Sequence, residues 1–187
     1  HIVYPAIDTT LYTYTKNPDD YYVIGGRIAA YKRFDLVIHV FNRLGWKLKV
    51  FGVGPRWWKD IQKSAKSNIE FLGRVTDEEK AKLFKHAKGF IHPQEEDFGM
   101  MPTEAMASGC PVLAYRKGGA IESISEGKIG LFFDEQDWYS LMIALLSFDK
   151  KEWDRKEISE YARRFDKEYF KKEIKAIIEQ ACDRTSV

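Results

Sequence analysis

Several features that would place a protein in a functional class are scarce or missing in this sequence. There are two cysteines, Cys110 and Cys182, far apart and in unlike surroundings. No disulfide framework is expected, and both are read as reduced thiols of a cytoplasmic protein. His39, His86 and His92 fall at no metal-ligand spacing, so no metal is expected and the three are read as packing or surface residues. No apolar run reaches the roughly 18 residues of a membrane span, and the opening residues do not form a secretory leader. Thirty basic residues against 28 acidic ones leave a net charge of +2, which offers no electrostatic ground for a nucleic-acid partner. No repeat or low-complexity stretch occurs. The chain opens on His1 rather than Met, and it is read as a fragment of a longer protein.

What is present fits one globular unit. At 187 residues and 44% hydrophobic content, the chain can bury roughly 70% of its unfolded surface and needs no staples. Apolar, β-branched runs alternate with helical patterns. Strands are expected at residues 21–26 (including the exit turn), 46–51, 69–72, 89–92, 111–115 and 130–133. Helices are expected at 35–44, 56–65, 77–86, 103–108, 118–125 and 136–148. Thr76 and Glu79 form a capping box for the third helix. Six such alternations imply an α/β fold: a doubly wound, Rossmann-like, mostly parallel six-stranded sheet, for which the usual mononucleotide-binding order is 3-2-1-4-5-6. Residues 1–20 read as a linker, 21–150 as the sheet domain, and 151–187 as C-terminal helices with an apolar stripe through Ile158, Tyr161, Phe165, Phe170, Ile174, Ile177 and Ile178.

The most informative stretch runs from Glu96 to Glu104, Glu-Asp-Phe-Gly-Met-Met-Pro-Thr-Glu, and continues Ala-Met-Ala-Ser-Gly-Cys-Pro-Val. It lies between a buried strand and a helix that Pro102 opens and Gly109 closes. A loop that opens a helix after a parallel strand is where α/β sheets bind ligands, and its free N–H groups favour anions. With strands one and four adjacent, Arg27 and Lys32 are expected to face Glu96 and Glu104 across the topological switch point.

These residues resemble the donor-site signature of retaining nucleotide-sugar glycosyltransferases, the group 1 (family 4) class of the two-domain GT-B fold. The resemblance covers the C-terminal half of a full-length member. It implies that Arg27 and Lys32 hold the donor diphosphate as the catalytic cations, since a departing nucleoside diphosphate gathers negative charge. It implies that Glu96 binds the donor sugar and Glu104 the ribose. Backbone N–H groups of Phe98, Gly99 and Met100 would meet sugar and phosphate, and the backbone of Val75 the base edge. Tyr4-Pro5-x-x-Asp8-x-x-x-Tyr12 loosely resembles the family's interdomain segment, and Gly118-Gly119-x-x-Glu122 its turn after the fifth strand. Mannose, from GDP-mannose, is the preferred donor sugar, by likeness to polysaccharide and glycolipid mannosyltransferases. The other partner implied is an N-terminal domain carrying the acceptor site, and the full enzyme leaves room for peripheral membrane association. No cofactor is implied.

Plainer readings stand beside these. Arg27 and Lys32 could be surface cations at a turn, and Glu95, Glu96 and Asp97 a solvated acidic loop; that reading is accepted for Glu95 and Asp97. A glycosidase pair in Glu96 and Glu104 is set aside, because neither implied role moves a proton. Gly52-x-Gly54 falls short of a dinucleotide fingerprint, since Trp57 stands where the third glycine belongs, and it reads as a turn. Two alternatives for the whole chain are a non-catalytic nucleotide- or sugar-binding module and a dehydrogenase-type dinucleotide domain.

Overall fold

The computed structural model describes residues 1–185. The last two residues of the expected helical tail, 186 and 187, lie outside them. Six strands form a single sheet: β1 (Tyr22–Gly25), β2 (Leu48–Phe51), β3 (Ile69–Gly73), β4 (Gly89–His92), β5 (Val112–Tyr115) and β6 (Gly130–Phe133). Their order is β3-β2-β1-β4-β5-β6, and every pairing is parallel. The reversal of winding therefore falls between β1 and β4, where Tyr22 and Val23 pair with Gly89 and Phe90. The four-residue runs of β1, β4 and β5 are buried throughout. That is why they read as continuous apolar stretches rather than alternating ones.

The helices are α1 (Phe34–Leu44), α2 (Trp58–Ser64), α3 (Asp77–His86), α4 (Met100–Ala107), α5 (Ala120–Ser123), α6 (Trp138–Asp149), α7 (Arg155–Ala162) and α8 (Lys167–Thr185). One apolar core joins α1, α2 and α6 to one face of the sheet through Phe34, Val37, Phe41, Trp58, Leu141 and Phe148. A second joins α3, α4 and α7 to the other face through Phe84, Phe90, Met106, Cys110 and Ile158. The capping box forms: Glu79 N–H donates to Thr76 Oγ1 at 3.2 Å, and Thr76 N–H to Glu79 Oε2 at 2.8 Å.

Two segments differ from the sequence reading. Helix α4 starts at Met100 rather than Thr103. Gly99 supplies the left-handed turn (φ 81°) that launches it. Pro102 sits in the first turn, where backbone N–H groups have no helical partner, so no bond is lost. The helix expected from Gly118 to Ser125 is only Ala120–Ser123, because the glycine pair before it packs against another loop. The opening segment, expected as a linker, docks on the tail. Ile7 N–H donates to Phe165 O and Lys167 N–H to Ile7 O, and Ile7 and Tyr12 are buried.

Candidate functional site

All strands point the same way, so all six exits share one edge of the sheet. There the backbone is unusually bare. Gly26 (φ 126°), Gly52 (φ 129°) and Gly73 (φ 69°) follow β1, follow β2 and end β3. Gly52 N–H bonds Gly73 O at 2.6 Å, and a Cβ on Gly52 would lie 1.9 Å from Gly26 O. Gly52 is thus a close-approach residue that lets two strand exits touch, which accounts for the incomplete fingerprint in structural terms.

After Gly26 the chain makes a short 3-10 turn, Ala30–Lys32, ended by Arg33 at φ 50°. A non-glycine residue in that conformation costs of order 1–3 kcal/mol and needs outside support. Arg33 has it: its guanidinium donates to Gln136 O and Oε1 at 3.2 and 3.0 Å, while Gln136 Nε2 donates to Pro93 O at 2.8 Å. Gln136 thereby ties the exits of β1 and β4 to the entrance of α6. The turn aims Lys32 across the switch point, where its Nζ lies 2.6 Å from Glu96 Oε1. Both side chains are largely shielded, 12% and 21% exposed. Lys32 also sits beside Gly26, whose missing Cβ would meet Met101 Cε at 2.9 Å and Lys32 Nζ at 3.8 Å.

The loop holding Glu96 is seated by glycines. Gly119 N–H donates to Glu96 O at 2.9 Å. A Cβ on Gly118 would come within 2.2 Å of Glu96 O, and one on Gly119 within 2.3 Å of Asp97 O. The pair after β5 therefore has a structural role, because only bare backbone there admits the Glu96–Phe98 main chain. The Phe98 ring stacks on Tyr4 at 5.6 Å and meets Phe165 edge-on at 5.6 Å. Behind the loop is His92, 1% exposed, with Nδ1 unpartnered and its ring against Gly99. Burial, which outweighs the Glu96 charge, lowers its pKa to about 4, so it is a neutral packing group at pH 7.

Lys32, Glu96, Phe98, Gly99 and Met100 line one open cavity of roughly 580 Å³ together with Tyr31, Glu95 and Met101. Five sequence candidates thus meet at the N-terminus of α4, whose free N–H groups suit an anion. The others stand apart. Arg27 is exposed, and no hydrogen bond or ion pair holds its guanidinium among the described residues. Val75 lines a separate cavity of about 360 Å³ beside α3, with Tyr21, Leu72, Arg74 and Lys82. Glu104, one turn into α4, faces α3, and its Oε1 accepts from Lys80 Nζ at 2.9 Å.

The sequence reading missed Lys80, Arg33 and Gln136. Lys80 had a weak signal, because it sits one turn past a recognisable helix start. Arg33 and Gln136 had none, since only folding puts residues 103 positions apart in contact. Of His39, His86 and His92, the first lies against Trp138 and the second 3.8 Å from Asp19. Among the described residues no group of three or more His, Cys, Asp or Glu could hold a metal ion.

Comparison with known proteins bears on this geometry. Residues 14–165 match the family model described as glycosyl transferases group 1. An uncharacterized glycosyltransferase of Methanocaldococcus jannaschii is 27% identical over 172 residues, which are 90% of this chain and 49% of that protein. A GDP-mannose-dependent alpha-mannosyltransferase of Corynebacterium glutamicum is 35% identical over 114 residues, 60% of this chain and 27% of that protein. The solved structure of a sucrose-phosphate synthase from Thermosynechococcus elongatus superposes with a TM-score of 0.84 at 20% identity, over 98% of this chain and 53% of that one. The chain spans half or less of the length of these curated relatives.

Proposed function

The chain belongs to the group 1 glycosyl transferases, and from that premise we propose that it is the donor-binding half of a retaining nucleotide-sugar transferase. The observation that carries this reading is the Lys32–Glu96 pair, 2.6 Å apart across the switch point at the start of α4. In this structure the two charges satisfy each other. A nucleoside-diphosphate sugar would separate their duties: Lys32 takes the diphosphate, Glu96 the hydroxyls of the sugar to be moved, and the N–H groups opening α4 the oxygens between them. Arg27 reaches the diphosphate from the exposed end of the same loop. Glu104 holds the ribose, and Val75 presents its backbone to the base.

The chemistry follows from charge. As the bond from sugar to diphosphate breaks, negative charge grows on the leaving group. Fixed cations and helix N–H groups stabilise that charge more than they stabilise the bound donor, and this difference lowers the barrier. The anomeric carbon exchanges its bond to the diphosphate for one to the hydroxyl oxygen of an acceptor molecule held by the remaining part of a full-length enzyme; the hydroxyl proton leaves with the diphosphate, and the anomeric configuration is kept. Four exposed apolar side chains support a partner on this edge. Tyr31, Val53, Met100 and Ile121 follow β1, β2, β4 and β5, all at strand exits, an arrangement suited to a facing domain.

For the sugar, we propose mannose. The named relatives include both a mannosyltransferase and a sucrose-phosphate synthase, so the base and sugar are decided by titration against UDP, GDP, ADP and their sugar conjugates. Two variants then test the site. Glu104→Gln is expected to weaken a nucleoside diphosphate and its sugar conjugate alike, because both carry the ribose. Glu96→Gln is expected to weaken the conjugate alone, by about 1–3 kcal/mol. A Glu104→Gln variant that binds the bare diphosphate as tightly as the parent would overturn the assignment. A solvated acidic loop predicts no effect of Glu96 on either ligand.

A further inference from the structure

The carboxylate of Glu104 is held rather than free. Its side chain is 14% exposed and lies between α4 and α3. Lys80 Nζ bonds its Oε1 at 2.9 Å, and the same ammonium reaches Asp77 Oδ1 at 3.0 Å. Lys80 is itself only 13% exposed. Burial works against its charge, but the bonds to Glu104 and Asp77 outweigh burial and raise its pKa. On the other side stands Tyr12, brought by the opening segment. Its hydroxyl pKa is pushed up, first by burial and then by the neighbouring Glu104 charge. A short, half-buried carboxylate with one oxygen anchored to a cation has little rotational freedom left. The Tyr12 side chain is a second hydrogen-bond partner of this carboxylate, so groups on two sides hold it.

We propose that Lys80 is a positioning residue for Glu104: it anchors Oε1 and presents the remaining acceptor capacity of the carboxylate to the ribose hydroxyls of a nucleoside diphosphate. The inference rests on the reading that Glu104 takes the ribose. The geometry adds a reason for the cation. The ammonium balances the charge of a largely shielded carboxylate, and a carboxylate accepts stronger hydrogen bonds from hydroxyls than a neutral acceptor does. Lys80 therefore supplies both the charge balance and the aim. Because Lys80 also holds Asp77, in the first turn of α3, the anchor is braced at two points and does not swing with the lysine chain.

The test uses Lys80→Met, Lys80→Arg, Glu104→Gln and the Lys80→Met/Glu104→Gln pair, each checked for folding by thermal melting. Titrations use whichever of UDP, GDP and ADP the parent chain binds most tightly, with inorganic pyrophosphate as the ribose-free probe. Lys80→Met is expected to weaken the nucleoside diphosphate roughly tenfold and pyrophosphate by less than about twofold. Lys80→Arg should restore most of the loss, since a guanidinium can make the same bond. In the Glu104→Gln background, Lys80→Met should add nothing, because no carboxylate remains to position. The double variant removes both buried charges and so stays informative if Lys80→Met alone folds poorly. Parent-like affinity in Lys80→Met sinks the inference, as does tighter binding (which would make Lys80 a lock on Glu104) or equal loss for pyrophosphate. A parent chain that binds none of the three nucleotides sinks the ribose reading and this inference together.

Discussion

The two edges of the sheet both bury a cation, and they use it in opposite ways. At the strand-entrance edge, Arg155 opens α7 and is 6% exposed. Its guanidinium donates to Ala87 O at 2.9 Å, Lys85 O at 2.8 Å and Phe84 O at 3.4 Å. These carbonyls lie at the C-terminus of α3 and its cap residue, where few helical donors remain (Phe84 O also accepts from Ala87 N–H at 3.3 Å) and where a helix favours positive charge. Only Nε stays unpartnered. At the strand-exit edge, Lys32 has one ionic partner, Glu96, and sits beside bare glycine backbone above an open cavity. An ammonium carries three donors. The donors of Arg155 go to the fold, whereas Lys32 has a single carboxylate partner beside an open cavity. The diphosphate role proposed for Lys32 rests on that difference in remaining hydrogen-bonding capacity, not on burial or charge alone.

That contrast breaks most readily at the entrance edge. Arg155→Met should cost about 3 kcal/mol of stability, because several carbonyls lose a charged donor in a buried setting. Ligand affinity of the molecules that remain folded should be unchanged. Urea unfolding with a parallel titration measures both, and a loss of affinity at constant stability would erase the distinction between the edges.

Lys32→Ala should do the reverse. Nucleoside diphosphate affinity should fall by about 1.5–3 kcal/mol, with that for the bare nucleoside nearly unchanged. Arg27→Ala should follow the same pattern with a smaller loss, since Arg27 is exposed and water competes for its ligand. Calorimetry that found nucleoside and diphosphate equally weakened would move these cations out of the phosphate site.

His92 sharpens the comparison through pH. Its folded pKa of about 4 lies below the ordinary histidine value of 6.5, so the unfolded chain binds the proton more readily. This contribution to stability is complete above about pH 6.5 and is lost as pH falls toward 4. Between pH 7 and pH 5 the loss amounts to about 2 kcal/mol. His92→Leu should flatten the curve in that window. The carboxylate Asp8, lowered to about 2 by its bonds to Lys167 and Thr10, acts below it. Identical pH profiles for parent and variant would show that the imidazole is not sealed beneath the Glu96 loop.

The smallest expected effect is at Gly73. It ends β3 in a left-handed conformation, yet an added Cβ would meet nothing within 4 Å. Gly73→Ala should therefore cost only the backbone strain, about 1 kcal/mol. Gly118→Ala adds a 2.2 Å collision with Glu96 O to the same strain and should cost more, as well as weakening the sugar conjugate. Melting curves of the two variants compare them directly.

Much of this was legible before folding was considered. The six strands and the capping box follow from local signals, which depend on neighbours a few residues apart, and the strand order follows from the usual winding of such alternating chains. The Glu96–Glu104 loop was legible because a buried strand, a Phe-Gly loop and a helix opened by Pro102 are written consecutively. Boundaries were less so. The start of α4 at Met100 depended on the conformation of Gly99, and Gly118-Gly119 looked like a helix opening because the loop it accommodates lies well upstream in the chain. Tyr4 and Tyr12 read as linker residues, because the surfaces that bury them, near Phe165 and Glu104, come much later in the chain.

By itself the sequence determined the layered α/β architecture, the reversal between strands one and four, and the residue types gathered at that edge. The architecture and the residue types follow from hydrophobic periodicity and glycine placement, and the reversal from the usual order of mononucleotide-binding sheets. Only the tertiary structure decided which charges pair. Lys32 meets Glu96 rather than Glu104, Lys80 meets Glu104, and Arg27 stands alone among the described residues. The physical reason is range: a pattern of turns and stripes sets the direction in which an element runs, but a close ion pair depends on how two helices and a strained turn settle against one another.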